Sequence, residues 1–256
     1  MTHLGITYIG GPTCILEFGG MLMTDPTFDP AGGEYRSSSS ILRKLAGPAL
    51  RPEEIGPFDY VLLSHEHHFD NLDHAGRRML AKSKTVVTTI AGAATLGSNS
   101  RGLTDWHSVD LPAQNQRSLC VVATPARHGP EGLDRGPVVG FILYLKDDAE
   151  RAIYVSSDTV WYEGVAEVAS RFPVRVVVLH LGAARVSTHG PYLTMTAKEA
   201  VEASRTFANA LIIPIHFEDW RHFSEGHEEI ASEFASAELA HRLRWPERGR
   251  TIQIDL

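Results

Sequence analysis

A mixed α+β fold, with two sheets and helices outside them, is what this 256-residue sequence predicts. Short apolar runs bounded by glycine, proline and polar clusters recur along both halves, and helical patterns separate several of them. Neither a composition break nor a repeat of fixed period divides the chain, so a single domain over residues 1–256 is expected. A chain of this length buries a large core without disulfides or structural staples.

The first quarter reads as a meander: strands at Ile6 to Ile9, Thr13 to Phe18 and, after the Gly19-Gly20 turn, Met21 to Thr24. Asp25 to Ser40 carries two prolines, the Gly32-Gly33 pair and the serines Ser37 to Ser40, which predicts a surface loop bordering a site. Asp59 to Leu63 is a compact apolar strand, and a helix is expected from about Leu72 to Ala81. Further strands are expected at Thr85 to Thr89, Leu119 to Thr124, Val138 to Leu145, Ala152 to Ser156, Val174 to Leu179 and Leu211 to Ile215. Thr196-Ala197-Lys198-Glu199 is a capping box and opens a helix. A last helix is expected over about His227 to Leu243, and Thr251 to Ile254 closes as a strand.

Composition narrows the function classes. Hydrophobic residues at 43% and charged residues at 21% exclude a disordered, collagen-like or coiled-coil chain. Lys plus Arg number 24 against 31 Asp plus Glu, a formal charge of −7 with 13 His counted neutral, so a nucleic-acid partner is not expected. Cys14 and Cys120 stand alone in apolar segments and form neither a disulfide framework nor a thiolate zinc site. No basic segment leads into a long apolar run near the start, and no apolar run reaches the roughly 18 residues of a membrane span. A cytoplasmic protein without membrane association is expected.

The chemistry concentrates in Ser64-His65-Glu66-His67-His68-Phe69-Asp70-Asn71-Leu72-Asp73, directly after an apolar strand. Alternate residues share a side in extended backbone, so His65 and His67 can face one point. Neutral imidazole suits zinc and related divalent ions, and Asp70 adds a hard oxygen donor. A pair of histidines at a strand end is often a solvated loop. Three later segments change the odds, because His128, Asp158 and His216 each follow an apolar strand in the same way.

This order of motifs resembles the metallo-β-lactamase-fold hydrolases, in particular the branch that includes ascorbate-6-phosphate lactonase. The family pattern, HxHxDH after a strand followed by a lone His, a lone Asp and a final His, falls on His65, His67, Asp70, His128, Asp158 and His216. The match extends to the opening Thr7-Tyr8-Ile9-Gly10-Gly11-Pro12-Thr13, to Thr24-Asp25-Pro26 and to Trp220-Arg221-His222-Phe223. The resemblance implies a four-layer αββα sandwich and one or two divalent metal ions, zinc first, with manganese or iron as alternatives. It also implies a first ion on His65, His67 and His128, and Asp158 bridging to a second ion on Asp70 and His216. One departure leaves two registers open: in a gapped reading Phe69 is inserted and Asn71 occupies the position of the family's last His, whereas in an ungapped reading Phe69 takes the aspartate position, which cannot bind a cation. The gapped reading is preferred because Leu72-Asp73 then falls in place. Asn71 offers an amide oxygen, so the second ion should be held more weakly unless His68 substitutes.

The expected activity is hydrolysis of a small, in some cases anionic, ester, lactone or phosphoester by a metal-bound hydroxide, since a divalent ion lowers the pKa of bound water from about 15.7 to roughly 7. Asp70 would orient the nucleophile and accept its proton, and His222 would contact the substrate or orient a ligand. His180 has the same two roles open, against a plain structural one. Arg127 and Arg185 could pair with an anionic substrate or sit on the surface. Alternatives are a phosphodiesterase or nuclease of the same fold, and a non-catalytic metal-binding protein with a degraded second site. A homo-oligomer is left open.

Overall fold

A computed structural model describes residues 2–36 and 41–256; Ser37 to Ser40, expected in a surface loop, lie outside the described residues. In chain order the elements are β1 (His3–Gly10), β2 (Thr13–Glu17), β3 (Met21–Thr24), β4 (Glu34–Arg36), β5 (Ile41–Arg43), β6 (Tyr60–Leu62), α1 (His74–Leu80), β7 (Thr85–Thr89), α2 (Ile90–Leu96) and β8 (Ser100–Leu103). There follow β9 (Ser108–Pro112), β10 (Ser118–Pro125), β11 (Val139–Leu145), β12 (Asp148–Val155), α3 (Glu163–Arg171), β13 (Val174–His180), α4 (Ala197–Thr206), β14 (Leu211–Ile215), α5 (His227–Ser236) and β15 (Thr251–Asp255). The chain forms two compact units, one of residues up to Leu103 with Glu218–His222 and Pro246–Leu256, the other of Thr104–Phe217 with Phe223–Trp245.

The first unit holds a seven-stranded sheet in the order β15-β1-β2-β3-β6-β7-β8. Its core joins Ile9, Ile15, Met23, Val61 and Val86 to Leu72, Ala75, Met79 and Leu80, so the apolar stripe of α1 is buried against the sheet. Strands β3, β6 and β7 run parallel, which brings the ends of β3 and β6 together and leaves Asp25 beside Ser64: the Ser64 amide donates to Asp25 Oδ1 at 2.7 Å. Gly76 is required where α1 passes the loop after β3, since a Cβ there would lie 1.8 Å from the Pro26 carbonyl oxygen.

The second unit holds a six-stranded sheet in the order β14-β13-β12-β11-β10-β9. Strands β12, β13 and β14 are parallel and joined by α3 and α4, the crossover that parallel strands require. Val176, Val177, Val178 and Leu179 of β13 are fully buried, as expected of a central parallel strand. Because β10 and β12 both pair antiparallel with β11, they share a direction. The carboxyl ends of β10, β12, β13 and β14 therefore lie on one edge of this sheet.

Several expectations need correction. The loop expected over Asp25 to Ser40 contains β4, which pairs with β5 as a two-stranded ribbon. Helix α1 begins at His74 rather than near Leu72, because the Asp73 carboxylate accepts the Gly76 amide at 2.8 Å and caps it. Helix α5 ends at Ser236 rather than near Leu243: Glu238 turns left-handed at φ 59°, and a short 3₁₀ turn, Ala240–Arg242, follows. The capping box on α4 is present. Among the described residues no helix is long and apolar enough to cross a membrane.

Candidate metal centre

In the second unit, the shared sheet edge delivers the donors. His128 follows β10, Asp158 follows β12, His180 ends β13 and His216 follows β14. Asp158, His180 and His216 are fully buried and His128 nearly so. Alternate strands stand roughly 10 Å apart, so the connecting turns must fold inward for these side chains to meet. They do so through local bonds: the Arg127 amide donates to Thr159 Oγ1 at 3.0 Å and the Val160 amide to the Arg127 carbonyl at 2.9 Å. His216 adopts a left-handed φ of 59° and Ser157 one of 57°, conformations that cost of order 1 kcal/mol or more for residues with a Cβ and cluster where side chains must be aimed. As a result Asp158 Oδ2 lies 3.8 Å from His128 Nε2 and Oδ1 lies 3.4 Å from His216 Nδ1.

The tautomer of His128 follows from its surroundings. Its Nδ1 is 2.9 Å from the Leu193 carbonyl oxygen, an acceptor alone, so Nδ1 carries a proton, and in the neutral ring that a metal ligand requires Nε2 presents the lone pair. That lone pair faces a buried carboxylate oxygen, an arrangement of two Lewis bases that a cation between them would stabilise. Two ligands of a tetrahedral ion at roughly 2.0–2.1 Å bond length are about 3.4 Å apart, close to the separations at Asp158. A histidine whose other ring nitrogen is held by a backbone carbonyl is also the usual arrangement of a metal ligand. The donor set fits a divalent ion.

The first unit supplies a second group. His65, His67 and His68 offer nitrogens within 4.8 Å of one another. His65 Nδ1 is 2.8 Å from Ser64 Oγ, and its Nε2 is 2.9 Å from His68 Nδ1. His65 is fully buried whereas His67 is exposed. Asp70 is buried and its Oδ2 lies 2.9 Å from His222 Nε2. The gapped reading of this segment holds in shape: Phe69 turns aside and stacks on Tyr35 with ring centroids 4.9 Å apart, Leu72 enters the core and Asp73 caps α1. Asn71 is fully buried; its amide nitrogen is 3.4 Å from Ser64 Oγ and 3.5 Å from Asp25 Oδ2. In this arrangement His68 sits with His65 and His67.

Of the other candidates, His180 belongs to the buried edge, with its ring centroid 5.4 Å from that of His216. Arg185 donates to the Thr188 carbonyl at 2.8 Å in an exposed loop. Arg127 lies over the Tyr162 ring, its guanidinium carbon 4.3 Å from the centroid. Burial, reinforced by Asp105, pushes the Tyr162 phenol up to about 12, so the ring beneath Arg127 stays neutral. The Tyr162 contact was not legible in the sequence, because residue spacing carries no sign of which aromatic an arginine will cover.

A sheet in each unit, strand ends bearing histidines and carboxylates, and a buried His-Asp-His arrangement define a class of metal-binding α+β proteins. A family model described as "Beta-lactamase superfamily domain" matches residues 21–217, and the chain belongs to that superfamily. The chain is similar to "UPF0173 protein YddR" of Bacillus subtilis (strain 168), 24% identical over 97% of this chain and 99% of that one. It is also similar to a "UPF0173 metal-dependent hydrolase" of Caldivirga maquilingensis, 23% identical over 69% of this chain and 72% of that one. Among solved structures, isothiocyanate hydrolase from Delia radicum gut bacteria shares the fold with a TM-score of 0.83 at 23% identity, covering 97% of this chain and 98% of that one. A possible metal-dependent hydrolase from Veillonella parvula DSM 2008 does so with a TM-score of 0.82 at 18% identity, over 98% and 99% of the two chains.

Proposed function

We propose that this protein is a metal-dependent hydrolase acting on a small ester, lactone or phosphoester. The observation that carries the reading is the His128–Asp158 pair: a lone pair held toward a buried carboxylate at 3.8 Å, on the sheet edge that also bears His216. Superfamily membership and relatives named as metal-dependent hydrolases support it.

In this reading His65, His67, Asp70, His128, Asp158 and His216 are the ligands of one or two divalent ions. When bound, such an ion supplies a nucleophile near neutral pH by acidifying water, and polarises the bond under attack. The chain's own residues do the rest. The Leu193 carbonyl fixes the His128 ring, and Ser64 Oγ fixes that of His65. Asp70 accepts a proton from the nucleophile, and His222, 2.9 Å away, holds the Asp70 carboxyl group in place.

The test combines metal analysis with turnover of generic lactone, ester and phosphodiester substrates. Wild type should hold zinc, manganese or iron and turn over at least one of them, and alanine at His65, His67 or Asp158 should remove both properties. Metal without turnover on every probe would favour the non-catalytic binding protein, and full activity in any of the three variants would refute the ligand assignment.

A further inference from the structure

Arg127 is the residue before His128, and its backbone is bonded to Thr159 and Val160, which follow Asp158. Its backbone is therefore fixed next to two proposed ligands in the chain, His128 and Asp158. Its guanidinium carbon lies over the Tyr162 ring, 4.3 Å from the centroid. The electrostatics are unfinished: Nε is buried with no acceptor, and the nearest carboxylate in contact range, Glu131, is 3.9 Å from Nη1 on a side chain that is 93% exposed. A buried guanidinium donor without an acceptor is costly in a folded protein and marks a place where a ligand oxygen completes the bonding. Arg185, the other arginine singled out in the sequence, spends its Nη1 on the Thr188 carbonyl and has no comparable vacancy in its bonding.

We infer that Arg127 is the specificity-determining residue for a substrate carrying a carboxylate apart from the bond that is hydrolysed. The Nε–H and the neighbouring Nη–H of a guanidinium point the same way and match the two oxygens of a carboxylate, a geometry lysine cannot offer. The contact with the Tyr162 ring restrains the side chain and lowers the ordering cost of that pairing. This assignment rests on the hydrolase reading above and adds to it the chemical class of the substrate.

The experiment compares two matched esters, the 4-nitrophenyl monoester of glutaric acid and 4-nitrophenyl butyrate, on metal-loaded protein. Wild type should prefer the charged ester in kcat/KM. Arg127→Gln should lower that preference roughly 10- to 100-fold, chiefly through KM, as expected for loss of a charge-assisted pair. Arg127→Lys should fall between the two, and Arg185→Gln should keep the wild-type preference. An unchanged preference in Arg127→Gln overturns the assignment; should that variant fail to fold, Arg127→Lys decides it by the same criterion. If wild type cleaves neither ester, the lactone and phosphodiester probes above judge the hydrolase reading, and calorimetry with glutarate judges Arg127 by itself. Binding weakened tenfold or more in the variant sustains the carboxylate site; equal binding, or none to wild type, overturns it.

Discussion

His222 Nε2 stands 2.9 Å from Asp70 Oδ2, with both side chains nine-tenths buried or nearly so. A carboxylate held this way is fixed in orientation by the imidazole. His222→Ala should therefore lower kcat roughly 10- to 100-fold while metal content, measured by atomic emission, stays near that of wild type. Wild-type kcat in the variant would remove His222 from the mechanism.

Asp158 leads to a prediction about stability. In the absence of a cation its buried carboxylate faces the His128 lone pair, so bound metal should stabilise the fold as any ligand specific to the native state does. Chelation should lower the melting temperature of wild type by roughly 5–10 °C. Asp158→Asn, which replaces the charge with a neutral amide of the same shape, should melt at one temperature with or without chelator. A chelator response of wild-type size in that variant would place the ion elsewhere.

The parts of the fold legible in the sequence are those where burial writes a pattern. The apolar runs of β7, β13 and β14, and the capping box of α4, were readable because each position answers to a local rule. Helix α2 was not: of its residues only Gly92 is buried and Ile90 is 55% exposed, so no amphipathic stripe announces it, and Thr89 caps it from the end of a strand. The candidate ligands were legible because each follows an apolar strand. The direction of β10 was not, yet it is what brings His128 to the same sheet edge as Asp158 and His216. Asp73 was read as part of a ligand-like motif and serves as a helix cap, a distinction that depends on which amides lie nearby.

Asp59 ties the start of β3 to the chain before β6, its Oδ2 accepting the Met21 amide at 3.0 Å and its Oδ1 meeting Lys84 Nζ at 2.7 Å. Lys84 first and the Met21 amide second hold the Asp59 carboxyl below its ordinary range. A lowered folded-state value means the contribution is complete above the unfolded value of about 3.9 and is lost as pH falls through the folded one. Solvent screens the lysine, so the effect is at most about 1 kcal/mol. Urea unfolding should show Asp59→Asn less stable than wild type at pH 7, with the gap closing toward pH 3. A gap that widens on acidification would contradict this sign.

The strongest stability effect should come from Asp73. Its carboxylate accepts the amides of Phe28, Asp29 and Gly76 at 2.7–2.9 Å and pairs with Lys44 Nζ at 2.8 Å, and both side chains are almost wholly buried. Asp73→Ala deletes the α1 cap, orphans two loop amides and strands a buried ammonium that keeps the Trp220 ring at 5.3 Å and the Asp219 carboxylate as weaker partners. Breaking one side of a buried pair costs about 3–5 kcal/mol. Lys44→Met combined with Asp73→Asn removes both charges and retains a side-chain oxygen for the cap, and neutral replacement of a buried pair is often tolerated. The double variant should therefore be more stable than Asp73→Ala by at least about 2 kcal/mol in urea unfolding, with clear coupling in the mutant cycle. Additive losses would mean that Asp73 acts through its cap and loop amides, and that the ion pair contributes nothing.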